Sequence, residues 1–267
     1  MTKEFKDIKA SAIKSFVDSI PFKDSPVYEF KVTADKSLAV AQKAKDDSFN
    51  EPCLDNVVLT AELSRGAWTV GKEFQREKLT DRNPSDDRKM IHIILESPHV
   101  DEFKYQPAIP AAGATGRNII QCLEVALSNH SPNTIQDGVY SITLVNAIQH
   151  QASLGVKPIY FRDAIFREMW ESGYRELFKA RLLKYLVKGD IIINACTCGK
   201  TTSKQLKLRE DVQVTIDAAL GTLPFSIPLI RFEHPSVWGR ILNTANKYGT
   251  EANFLWKAES KAYKKLS

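Results

Sequence analysis

The sequence predicts an α/β protein: a parallel central sheet flanked by helices on both faces, preceded by a mainly helical N-terminal extension. Three observations predict this class. Short apolar runs alternate with amphipathic segments from about residue 90 onward, the pattern of a covered parallel sheet. The runs at 91–95, 139–145, 190–195 and 228–232 are almost continuously apolar, as strands buried on both faces are. Two of these runs lead into acid, serine and histidine, at Glu96, Ser97, Pro98, His99 and at Glu233, His234, Pro235, Ser236. Such residues at strand ends point to the carboxyl rim of the sheet, where open α/β sheets bind ligands.

Residues 1–88 are charged and mixed. Phe5, Ile8, Ile13, Phe16 and Ile20 are spaced along one helical face, and Pro21 and Pro26 stop that helix. Residues 79–89 are polar and turn-rich and read as a linker. The chain therefore divides into an extension over 1–88 and an α/β domain over 89–267. In that domain Gly113, Ala114, Thr115, Gly116 and Arg117 open a helix with Ile119, Ile120, Leu123 and Leu127 on one face. Residues 160–187 form a second helical stretch, with Phe161, Ile165, Trp170, Leu177 and Leu182 as core positions. Residues 237–248 form a third.

The chain has 267 residues, 43% of them hydrophobic, enough for one large domain or a domain with a subdomain. Its net charge of +5 permits a polyanionic partner without requiring one. No apolar run reaches the length of a membrane span, and the first residues lack an apolar signal core, so the expected location is the cytoplasm. Cys53, Cys122, Cys196 and Cys198 include no CxxC pair, and Cys196 and Cys198 stand too close for a zinc knuckle. They are expected to be free thiols, with no metal site.

The chemistry-bearing residues sit at strand ends. Glu96, Glu102 and His99 fall in one loop that Pro98 stiffens. The plain reading is a capped, solvated turn; the sharper one is a general base or a water-orienting carboxylate. Pro110, Ala111, Gly113 and Gly116 precede a helix, where glycine permits close backbone approach and free N–H groups face an anion. Asn146 ends the second strand, and its amide offers both a donor and an acceptor to a base edge. His234 can donate to an oxygen gaining negative charge, Ser236 stands where a helix starts, and Trp238 or Val237 is a candidate wedge in a base stack.

In this order the motifs resemble those of the uracil-DNA glycosylase superfamily. One branch of that family has a Glu and Pro after its first core strand and a second Glu six residues after the first, as Glu96, Pro98 and Glu102 stand here. It then has a proline and two glycines opening a helix, matched by Pro110, Gly113 and Gly116. A strand-end Asn is matched by Asn146, and a closing His-Pro-Ser by His234, Pro235 and Ser236. The likeness covers roughly residues 90–245. Four departures accompany it. Leu95 replaces a glycine, and Ser97 falls where some members carry the water-activating Asp. Ala111 replaces an aromatic that stacks on the base, and that branch's iron–sulfur cysteines have no counterparts.

The resemblance implies a monofunctional DNA glycosylase that needs no cofactor or iron–sulfur cluster and binds DNA, expected to be double-stranded, with one nucleotide flipped out. It implies catalytic roles for Glu96, Glu102 and His234, with either carboxylate orienting water. It implies contacts to the base from Ser97, His99, Ala111 and Asn146. It implies contacts to DNA from Gly113, Thr115, Gly116, Arg117, Ser236, Trp238 and Arg240. The substrate is uracil or a deaminated base, or, given Ala111, a bulkier base such as a hypermodified cytosine in phage DNA. Two other classes stay open: a non-catalytic DNA-binding relative, and a nucleotide-binding α/β protein unrelated to DNA. Protein partners are not indicated.

Overall fold

The computed structural model describes residues 52–83, 85–99, 102–103, 107–131, 133–150, 152, 162–163, 166–167, 169–199 and 207–256. The helical face expected over Phe5 to Ile20 lies outside these residues, as do Phe161 and Ile165.

Among the described residues, seven strands join in one sheet: β1 (Asn56–Ser64), β2 (Ala67–Val70), β3 (Glu77–Lys78), β4 (Lys89–Leu95), β5 (Gly138–Asn146), β6 (Ile191–Asn194) and β7 (Leu229–Arg231). Their spatial order is β2-β1-β5-β4-β6-β7, with β3 paired to β1. The four strands expected from the apolar runs are β4 to β7, and they pair in parallel. The sheet as a whole is mixed, because β1 runs antiparallel to β5, β2 and β3. This corrects the plainly parallel sheet, and among the described residues of the 1–88 segment it replaces helix with strand.

The local reasons are legible afterwards. From Thr60 to Ser64 exposed and buried residues alternate, the two-residue period of a strand with one covered face. Arg65 and Gly66, both at positive φ (53° and 79°), make the two-residue hairpin turn to β2. A register irregularity between Val57 and Leu59 lets Val57, Val58 and Leu59 all be buried in succession.

Among the described residues, the helices α1 (Ala114–His130), α2 (Arg175–Tyr185), α3 (Leu208–Leu220) and α4 (Trp238–Tyr248) cover the sheet. Ile119, Leu123 and Leu127 of α1, with Trp238 and Ala245 of α4, pack in one cluster that includes Ile91, Ile93 and Leu95 of β4. Phe178 and Leu182 of α2, with Val212 and Ile216 of α3, pack in the other, which includes Met90 and Ile94 of β4. The helices thus lie on both faces, as expected. Leu177, expected in the core, is 45% exposed. The turn at Trp170–Tyr174, broken by Gly173 at φ 116°, precedes α2 and resets its phase. The helix α3 has no counterpart among the segments expected from the sequence; Leu208, Val212, Ile216 and Ala219 mark its buried face.

The turn-rich 79–88 stretch is pinned at the amino ends of the strands. Asp190 is fully buried and accepts from Arg82 at 2.6 Å, from the Met90 N–H at 2.9 Å and from the Val187 N–H at 2.8 Å. His92 lies 3.4 Å from the same carboxylate and 2.8 Å from the Thr143 hydroxyl. Burial pushes the Asp190 carboxyl up, but His92 and Arg82 hold it below the usual range. No helix of the described residues is long and apolar enough to cross a membrane.

Asp190→Ala removes the anion that Arg82 is buried against. It is expected to cost about 3–5 kcal/mol in urea unfolding, the loss typical of breaking a buried pair; a loss below about 1 kcal/mol contradicts the role given to this clasp.

Candidate functional site

The chain leaves β4 toward the α1 face and leaves β5 and β6 toward the α2 and α3 face. Neighbouring strands whose exits turn to opposite faces open a crevice at their carboxyl ends. Glu96, the first residue past β4, stands in that crevice and is 4% exposed.

A buried carboxylate must be paired or it takes up a proton. Glu96 is paired from three directions. Arg162 donates to Oε1 at 3.3 Å, the Thr197 N–H donates to Oε2 at 3.2 Å, and His234 Nε2 lies 3.6 Å from Oε2. Arg162 itself is anchored on Asp163 at 2.7 Å. Burial pushes the Glu96 carboxyl up, but His234 and Arg162 bring it below the usual carboxylate range.

The imidazole of His234 has a defined tautomer. The Ser236 N–H donates to Nδ1 at 3.2 Å, and the Ser236 hydroxyl is 2.8 Å from the same atom. In the neutral ring the proton is therefore on Nε2, facing Glu96. Burial lowers the His234 pKa; Glu96 opposes this and Arg162 reinforces it, so the ring is neutral near pH 7. A neutral imidazole with a fixed N–H is a donor suited to a developing oxyanion.

Glu102 is also buried, but its surroundings act the other way. Burial lifts its carboxyl to about 8, with Glu96 adding to the rise, while the backbone at His99 and Ala111 only partly offsets it. The Cys53 thiol donates to Oε2 at 3.8 Å. The loop thus holds one ionised and one protonated carboxyl at neutral pH, the separation that lets acid and base roles be divided.

Asn146 pairs in register with Leu95 of β4 at the end of β5. It is 1% exposed, and its Nδ2 has no hydrogen-bond partner among the described residues. The Ser97 and Thr197 hydroxyls are likewise buried without partners. A buried donor left open is costly unless a ligand or water completes it.

The glycine loop joins this rim. The Ala111 carbonyl accepts from the Gly116 N–H at 3.1 Å, and a Cβ on Gly116 would come within 2.2 Å of that carbonyl oxygen. Ala111 itself takes φ 54° and is buried. Space opens beside Gly113, where a Cβ would meet nothing within 4 Å. The start of α1 has no side-chain cap and no acidic residue in its first turn, so its N–H groups favour an anion. Asn118 donates to the Pro235 carbonyl at 2.8 Å, tying this loop to the His-Pro-Ser turn.

The structure therefore brings together Glu96, Ser97, Glu102, Asn146 and His234 at one rim, with Gly113, Gly116 and Ser236 alongside. Arg117, Ser236 and Arg240 are exposed and Thr115 is half-buried. His99 is exposed on the loop. Trp238 is corrected: it is fully buried, packs edge-on against Phe232 and Phe254, and donates to the Glu233 carbonyl at 2.6 Å. A fully buried indole cannot enter a base stack, whereas Val237 before it is half-buried. Sequence reading missed Thr197 and Arg162. Thr197 follows β6 at the carboxyl rim and was open to the same strand-end rule; Arg162 sits in no motif. The described cysteines are free, with Cys53, Cys122 and Cys196 buried. No cluster of metal-ligating side chains occurs among the described residues. Comparison with protein-family models, curated proteins and solved structures finds no match for the chain.

Two outcomes check this geometry. Gly116→Ala forces a methyl against a backbone oxygen and is expected to destabilise by about 1–3 kcal/mol in thermal or urea unfolding, as overpacking does. Glu102, with its pKa raised in the folded state, contributes stability that is present below the unfolded value and lost as pH rises through about 8. Glu102→Gln is therefore expected to gain stability over wild type between roughly pH 4.5 and 8, by at most about 1.4 kcal/mol per pH unit; urea unfolding across that range showing parallel curves contradicts the assignment.

Proposed function

We propose that the chain is a monofunctional DNA glycosylase, hydrolysing the N-glycosidic bond of a flipped nucleotide and leaving an abasic site. One observation carries the reading: an ionised, buried Glu96 faces the Nε2–H of a neutral His234, and the neighbouring strand ends on Asn146 with its side-chain Nδ2 unpartnered among the described residues. These are the three kinds of group that bond cleavage of this class requires. The sugar becomes cationic, the base leaves with the bonding electron pair, and the base must be recognised once out of the stack.

In this reading Glu96 favours the sugar cation, orients the attacking water and takes the proton that water gives up as its oxygen bonds to the sugar carbon. The His234 Nε2–H moves from Glu96 to the base oxygen as negative charge gathers there. Asn146 reads the base edge. The free N–H groups at the start of α1, with Gly113 and Ser236, take DNA phosphates, and Arg117 and Arg240 add charge that makes binding fall with salt. No lysine is assigned as a Schiff-base nucleophile, so the backbone is left uncut. The released base is proposed to be a bulky modified cytosine. The reason is Ala111, which offers a methyl where the resembling branch places a stacking ring; uracil or another deaminated base is the alternative. The setting proposed is the cytoplasm, with defence against phage DNA or repair as the purpose.

The test is a base-release assay on duplexes carrying uracil, hypoxanthine, hydroxymethylcytosine or glucosylated hydroxymethylcytosine, followed by alkaline cleavage of abasic sites. One substrate is expected to be cut. His234→Ala and Asn146→Ala are each expected to lower that rate by about 10²–10³-fold, the loss typical of removing a preorganised donor. Tight, salt-sensitive DNA binding with no release from any duplex overturns the enzyme and favours a non-catalytic base-flipping relative. Binding of free nucleotide with no salt-dependent DNA affinity overturns both.

A further inference from the structure

Asn146 is held by a device that lies outside the parallel ladder. The first residue of β1, Asn56, pairs with Leu144, so β5 runs past its antiparallel neighbour before it reaches Asn146. Two side chains take over where that strand ends. The Asp55 carboxylate accepts the Asn146 N–H at 3.1 Å, and Arg181 of α2 donates to the Asn146 carbonyl. The two partners pair with each other, Arg181 Nε to Asp55 Oδ2, at 2.7 Å. The Asp55 side chain is wholly buried; burial raises its pKa, and Arg181, Gln149 and Tyr185 oppose that rise.

This is a costly way to satisfy two backbone groups. Burying an ion pair forfeits hydration, and two more residues of β1 pairing, reaching Leu54 opposite Asn146, would have served the same N–H and C=O without charge. What the pair adds is a two-point hold on one residue, Asp55 on its N–H and Arg181 on its C=O. That residue is the one whose side-chain Nδ2 is buried and unpartnered. Asp55 also lies outside the stretch over which the chain resembles the glycosylase superfamily, so its role is not carried over from that likeness.

We infer that Asp55 and Arg181 are positioning residues that fix Asn146 so that its side-chain NH₂ meets a hydrogen-bond acceptor on the flipped base, either a carbonyl oxygen or an unprotonated ring nitrogen. The inference rests on the glycosylase reading for the nature of the ligand, but the grip on Asn146 is testable without it. Because the amide nitrogen is the open group, base analogues that lack the acceptor are discriminated against. Loosening the grip relaxes that discrimination before it abolishes turnover.

The experiment compares wild type, Arg181→Lys, and the neutral pair Asp55→Asn with Arg181→Gln. The first readout is the side-chain ¹H–¹⁵N amide pair of Asn146, identified by its disappearance in Asn146→Asp. The second is kcat and KM on the base-release duplexes. In the neutral pair the Asn146 amide signals are expected to shift and broaden. Discrimination between the best and next-best duplex is expected to fall about 10-fold, the scale of a modest misplacement of a positioning group. Arg181→Lys, which keeps the charge, is expected to lie between. If the neutral pair does not fold, Arg181→Lys carries the same comparison alone. Unchanged amide signals overturn the inference, as does an equal loss of rate on every duplex that simply tracks a lower melting temperature. If wild type releases no base at all, the glycosylase reading fails, and the amide signals alone still decide whether the pair grips Asn146.

Discussion

A carboxylate buried at the end of the central strand sets the terms for the rim around it. Glu96 is removed from water on all sides, and such a charge persists only where hydrogen-bonded partners surround it. Each partner comes from a different part of the chain: Arg162 beyond β5, Thr197 beyond β6 and His234 beyond β7. One acidic residue thereby fixes three loops relative to each other. The sheet makes this possible. With β4 between β5 and β6, the three carboxyl ends lie side by side while the connections turn away to opposite faces.

The same crowding divides the site electrically. Near Arg162 and His234 the carboxyl of Glu96 is ionised; near Cys53 and the backbone, a few residues along, that of Glu102 is protonated. Two identical functional groups acquire opposite states because one faces the Arg162 guanidinium and two N–H donors while the other faces a thiol, amides and the charge of Glu96. His234 completes the pattern. The backbone of its own turn occupies Nδ1, so the only proton of the neutral ring points into the crevice. Ordered donors beside a fixed anion, away from bulk water, are the arrangement in which electrostatic stabilisation acts most strongly.

Much of this was legible in the sequence because strand-end chemistry follows from a simple rule. The apolar runs identified β4 to β7, and their exits identified Glu96, Asn146 and His234 before any geometry. Other features were hidden for physical reasons. The strand β1 carries Thr60, Glu62 and Ser64 on its outer face, so its polar half masked its period within a charged segment. Trp238 beside a His-Pro-Ser turn reads as a wedge, yet the first turn of α4 rotates it into the core under Phe232 and Phe254. Arg162 and Asp55 belong to no motif; what they do depends on distances across the sheet, and spacing along the chain does not encode those.

The proposed function requires that this rim receive a flipped base. It is tested most directly by titrating isotopically labelled protein with a duplex whose target nucleotide carries a 2′-fluorine, which blocks hydrolysis and traps the bound state. The His234 ring and Asn146 side-chain signals are expected to move together to saturation, and affinity to fall as salt rises. Saturable DNA binding that leaves both signals unmoved would contradict it.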